Sequence, residues 1–262
     1  MESPSVHLDE AVAIVAAVEA QVSYLRIALD APSDEGWLRS ADLLADPAAL
    51  VASIDATQAG RGAPDRTVAA SLWFQAYAFR AALPVVAPYA IGLPGLTADP
   101  AATHVRIARN RPAAVAVTDP AVRARTADEA AYDLLSHHLS PVIDAIAGSI
   151  TIGRRLLWGN AAASIATVLR ALDGAPDADR VAVQTRGEAL IAGAQPWIAG
   201  LGRFDRVIEG GREGWYWTRT NCCLYDRCEG AARCDDCSLI PEDELDASRR
   251  SELVAAGQEV AS

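Results

Sequence analysis

The chain has 262 residues, 51% of them hydrophobic and 22% charged, the balance of a globular protein with material for one large domain or two small ones. Its net charge of -11 sets up a field that repels phosphate backbones and anionic membranes, so no nucleic-acid partner is expected. All 23 basic residues are arginine, which excludes Walker-loop, protein-kinase and pyridoxal chemistries in their usual lysine-dependent forms. No Gly-x-Gly-x-x-Gly occurs, so electrons for any redox chemistry come from outside the chain.

Residues 8–22 read as an apolar helix packed inside. The polar stretch before it has no arginine, so neither a signal peptide nor an anchor is expected, and no segment reaches the roughly 18 uninterrupted apolar residues of a membrane span. The expected location is the cytoplasm. A second helix runs over 66–82 and is expected to stop before Pro84, with Trp73, Phe74, Tyr77 and Phe79 as a core-packing aromatic band.

Residues 103–118 carry a hairpin pattern: Val105 and Ile107 alternate with Arg106, Val115 and Val117 with Ala116, and Asn110-Arg111-Pro112 lie between. Thr126 and Glu129 form a capping box, after which Ala131, Leu134, Leu135, His138 and Leu139 recur at helical spacing until Pro141. Adjacent on that helix, His137 and His138 point about 100° apart and lack the spacing of a metal-binding pair; one buried and one exposed histidine is expected. A further helix over 154–172 is closed by Gly174, and 181–192 is a weaker one broken by Gly187. The fold class is α+β, predominantly helical with a small antiparallel sheet. No Gly-x-Ser-x-Gly supports a hydrolase.

The composition changes at Gly210-Gly211. Trp215, Tyr216 and Trp217 alternate as a strand does, so one face can cover a site while the other packs on a flat ligand. All five cysteines follow: Cys222, Cys223, Cys228, Cys234 and Cys237. In a reducing compartment such a cluster points to a metal ahead of disulfides. Cys234-x2-Cys237 is a common chelating unit. Cys222 and Cys223 diverge in extended backbone, so they meet one tetrahedral ion only through a strained turn, a demand that a dinuclear cluster relaxes. On that ground Cys234 and Cys237 are expected on one iron and Cys222 and Cys223 on the other. Spacing alone leaves zinc and iron-sulfur even.

The pattern Cys222-Cys223-x10-Cys234-x2-Cys237, with Leu224-Tyr225 and Asp235-Asp236 at its flanks, resembles the ferric-siderophore reductase family of the FhuF type. Leu157-Trp158-Gly159-Asn160 and His138-Leu139-Ser140-Pro141 are weaker likenesses to that family's helical domain. Cys228 and Asn221 depart from the pattern. The resemblance implies a [2Fe-2S] cluster on Cys222, Cys223, Cys234 and Cys237. It further implies a cytoplasmic one-electron reductase of ferric siderophores, of hydroxamate type, fed by a ferredoxin or an NAD(P)H-dependent flavoprotein. The alternative is a zinc-stabilised helical binding protein without redox activity.

Asp226, Glu229, Asp235 and Asp236 around the thiolates favour the oxidised cluster and hence electron donation. Arg219, Arg227 and Arg233, with Trp215 and Trp217, are the candidate substrate contacts. The expected organisation is a helical domain over 1–213, an iron-sulfur segment over 214–240 and an acidic, mobile tail over 241–262.

Overall fold

The computed structural model describes residues 4–30 and 36–261, with side chains over 8–30 and 36–256; the polar start at 1–3 and the last residue of the tail lie outside the described residues. Helix α1 (Pro4–Gln21) buries Ala11, Ile14 and Val18 but leaves Leu8 and Val12 exposed, so it borders the core instead of lying within it. Two short helices follow: α2 (Ser40–Ala45) and α3 (Pro47–Arg61). The α3 start is local chemistry, because Asp46 accepts from the amides of Ala48 and Ala49 while Pro47 fills the first turn.

The centre of the molecule is α4 (Arg66–Ala90), capped by the Asp65 side chain. It is largely apolar, and Trp73, Phe74 and Tyr77 are fully buried, each removing on the order of 200 Å² from water, about 5 kcal/mol as an upper figure. The helix does not stop at Pro84. Pro84 and Pro88 both lie inside it, and the Pro84 carbonyl orphaned by Pro88 accepts instead from the amide of Leu96 at 2.8 Å.

Against α4 lies a four-stranded sheet, ordered β1 (Ile27–Ala28), β4 (Arg111–Val117), β3 (Thr103–Ala108), β2 (Trp37–Arg39). The expected hairpin is β3–β4, antiparallel, while the edge pair β1–β4 is parallel. Arg109 and Asn110 make its turn with φ of 50° and 58°, the left-handed pair of a type I′ turn. That turn rests on α3, where Thr57 Oγ1 donates to the Asn110 carbonyl at 2.6 Å.

The capping box opens α5 (Ala127–Tyr132) as expected. Pro141 does not end the helical run: a π-helical segment (Asp133–Leu139) widens the turn and leads into α6 (Ser140–Ser149). His138 is fully buried and His137 exposed. The His138 ring donates from Nδ1 to the Ala98 carbonyl at 2.8 Å and accepts at Nε2 from the Tyr77 hydroxyl at 2.7 Å, an arrangement only the neutral ring can make. Burial holds its pKa down at about 4. The unfolded chain therefore takes up this proton near pH 6.5 and the folded one does not, so stability falls by about 3 kcal/mol as pH drops from 6.5 towards 4. Urea unfolding across that window, compared with His138→Gln, checks this: the variant shows a shallower pH slope.

Helix α7 (Arg154–Asp173) ends at Gly174 and packs along α4, with Gly159 and Ala161 to Ala163 buried. Helix α8 (Arg180–Gly193) and the short α9 (Gln195–Ile198) follow. Gly187 does not break α8. It makes room for the Trp215 ring, which a Cβ would approach to 2.7 Å.

The C-terminal part opens with a two-stranded hairpin, β5 (Gly202–Glu209) and β6 (Arg212–Arg219), turned at Gly210-Gly211 with φ of 58° and 77°. The acidic tail forms a helix, α10 (Glu242–Ala261). Leu245 and Arg249 are buried at 4%, and the Arg249 guanidinium donates to the Trp217 carbonyl and the Thr218 hydroxyl while lying over the Tyr216 ring. No helix among the described residues is long and apolar enough to cross a membrane.

Candidate metal centre

Strand β6 delivers the chain to Arg219, three residues before the first cysteine, and the loop over 220–240 carries all five thiols, none of them in a disulfide. The two sulfurs of the adjacent pair have different neighbours. The Cys222 sulfur lies 3.4 Å from Asp226 Oδ1, and the Cys223 sulfur 3.4 Å from that of Cys234. Leu224, at φ 67°, holds the left-handed turn that brings its own amide to the Cys222 sulfur at 3.2 Å. A non-glycine residue there costs about 1 kcal/mol, strain localised beside the thiols.

Two thiolates on one tetrahedral ion, each about 2.3 Å from it, sit roughly 3.8 Å apart. The Cys223–Cys234 contact, at 3.4 Å, is close to that separation, and thiolates are ligands suited to a soft metal. This contact joins the two halves of the motif. Among the described residues, no three potential ligands are already gathered into one sphere. Cys228 is buried at 6% within the hydrophobic core and behaves as a small apolar side chain. The shared proton of the touching pair, with Arg219 adding its charge, draws the Cys223 thiol down to about 6 and pushes Cys234 upward; burial pushes Cys222 up to about 12.

A buried polar chain fastens the loop to the helical body. Ser71 of α4 donates to the Cys223 carbonyl at 2.7 Å, the Asn160 amide of α7 donates to the Ser71 hydroxyl at 2.8 Å, and Arg219 donates to Asn160 Oδ1 at 2.6 Å. The Arg219 Nε faces Asp236 at 3.7 Å. Gly159 leaves room for Asn221, whose amide a Cβ there would overlap. Gly159 and Asn160 thus lie against Asn221 and Arg219, the residues that lead into the cysteine loop. Ser71 carries no sequence signal, whereas Asn160 stands out as an amide within an apolar helix.

The expected substrate contacts are scattered. Trp215 and Trp217 are buried at 3% and 2%; Trp215 stacks on Phe204 at 3.6 Å and Trp217 meets it edge-on at 5.0 Å, so neither ring offers an open face to a ligand. Arg219 is buried in the loop's anchor, Arg227 pairs with Asp65 at 3.3 Å, and Arg233 donates to the Leu239 carbonyl. The concave surface next to the thiols lies elsewhere. A cleft of about 420 Å³ has Cys234 and Tyr225 in one wall, with the rest contributed by α3, α4, α7 and the start of β4.

Two comparisons bear on this arrangement. No curated protein matches the chain. Residues 71–198 match the family model described as "Ferric iron reductase FhuF-like transporter", a span that runs from Ser71 through Asn160 and ends before the cysteine loop. Over residues 71–198, which take in Ser71 on α4 and Asn160 on α7, the chain is similar to the FhuF-like ferric iron reductase family.

Proposed function

We propose that the protein is a cytoplasmic one-electron reductase of imported ferric siderophores, with a [2Fe-2S] cluster held by Cys222, Cys223, Cys234 and Cys237. The observation that carries this reading is the placement of a thiol-rich loop on the helices of a ferric iron reductase domain, with Cys234 in the wall of an open cleft. When bound, such a cluster supplies single electrons at a potential set by its thiolates and their surroundings. The chain's own residues do the rest. Ser71, Asn160 and Arg219 fix the loop against the helical body, and Asp226 stands beside the Cys222 sulfur.

The cleft holds the chelate beside Cys234, so the accepting Fe(III) needs no protein ligand of its own. Hard oxygen donors bind Fe(III) tightly and Fe(II) poorly, so one electron added to the metal releases it. No acid-base group is required. The absence of a dinucleotide fingerprint supports an external donor, a ferredoxin or an NAD(P)H-dependent flavoprotein. A hydroxamate-type chelate follows from the resemblance.

Anaerobic purification followed by spectra before and after dithionite, with iron and sulfide measured on the same sample, tests the cofactor. Visible bands that bleach, with about two irons and two sulfides per chain, support it. Mixing the reduced protein with a ferric trihydroxamate and trapping Fe(II) tests the activity. A colourless zinc protein, or a reduced cluster that no ferric chelate reoxidises, overturns the reading.

A further inference from the structure

We propose that the cleft beside Cys234 selects ferric chelates that carry net negative charge, through Arg61, Arg80 and Arg111. This rests on the reductase reading for what the bound chelate undergoes, but the binding claim stands on the cleft itself.

In a chain with net charge -11, most arginines of the described residues face a carboxylate or a backbone carbonyl. Arg61 from the last turn of α3, Arg80 from α4 and Arg111 from the start of β4 are brought to one cleft. Among the described residues none of the three has a carboxylate in ion-pair contact. The charges next to them are each other. Arg80 is lowered by burial and by Arg111, and Arg111 by burial and by Arg61 and Arg109. The Arg80 Nε is buried without a hydrogen-bond partner, while its guanidinium lies 5.0 Å from the Phe79 ring centre.

Like charges gathered around the part-buried Arg80 cost stability, and no carboxylate is among the residues lining the cleft to offset them. What these three lack is an anion. The cleft, at about 420 Å³, is in the range of small-molecule sites and is open enough to take one face of a chelate whose remainder faces solvent. A ferric complex bearing peripheral carboxylates or catecholate oxygens supplies the missing charge, and a neutral trihydroxamate does not.

The test uses gallium(III) complexes, which match the ferric ones in size and charge but are not reduced. One linear trihydroxamate with its terminal amine free, acetylated or succinylated gives net charges of +1, 0 and -1 on the same donor set; a gallium tris-catecholate extends the series to -3. Calorimetric titration of the full-length protein at low salt is expected to show affinity rising about tenfold per added negative charge, with the gain shrinking as salt is added. In Arg80→Gln/Arg111→Gln the trihydroxamate series collapses to within about threefold, and the thermal midpoint does not fall.

Equal affinities across the series overturn the proposal, as does an ordering that survives in the double variant, or inorganic phosphate competing as well as the -3 complex. The ferric counterparts separate the two readings. Charge-ordered gallium binding with no reduction of iron overturns the reductase and leaves the anion cleft. Charge-blind gallium binding with normal iron reduction does the reverse.

Discussion

Replacing any one of Cys222, Cys223, Cys234 or Cys237 by serine is expected to remove the visible colour and bound iron of the purified protein, while Cys228→Ser keeps both. A serine hydroxyl is harder than a thiol and does not deprotonate near neutrality, so each exchange removes a soft anionic ligand. The loss should be steepest at Cys223 and Cys234, whose sulfurs already touch at 3.4 Å. Cys228 lies against the apolar core, and its exchange costs only the burial of a hydroxyl there, about 1–3 kcal/mol. Iron per chain, visible absorbance and urea midpoint measured on the five variants separate ligand loss from misfolding. Bleaching in Cys228→Ser with colour retained in one of the others shows that the ligand set is wrong.

Asn160→Leu is expected to destabilise the protein by about 3–5 kcal/mol, because it strands a charge in the interior. Arg219 is exposed by only 3%. Without the 2.6 Å acceptor its guanidinium faces only Asp236 at 3.7 Å, and Ser71 loses the amide that orders it beneath Cys223. Denaturant unfolding gives the magnitude. Adding Arg219→Met to Asn160→Leu removes the buried charge, so the double variant costs less than the sum of the single ones. An additive result shows instead that the two side chains act independently.

Local chemistry carried much of the fold in readable form. The capping box at Thr126 and Glu129, the Gly174 stop and the β3–β4 hairpin each depend on residues close in sequence, and each is present. The prolines were not legible in this way, because whether Pro84, Pro88 and Pro141 end a helix depends on what else satisfies the freed carbonyls. Here the Leu96 amide and a π-helical widening do so. Strand β5 and helix α10 were hidden for a related reason. Both are polar along most of their length and are held by the Tyr216–Trp217 strand and by Arg249, contacts that no periodicity records.

The chemical character of the site was fixed by the sequence, since five thiols within one short loop constrain the donor set whatever the surrounding fold. Where that loop sits and what it faces were decided only by tertiary packing. Ser71 is 152 positions from Cys223 and Asn160 is 59 from Arg219. The three arginines of the cleft come from a helix end, a helix middle and a strand start that meet only because α4 gathers α3, α7 and the sheet around itself. Ligand identity is written in side-chain type at short range, whereas substrate shape and charge arise from surfaces that long-range packing brings together.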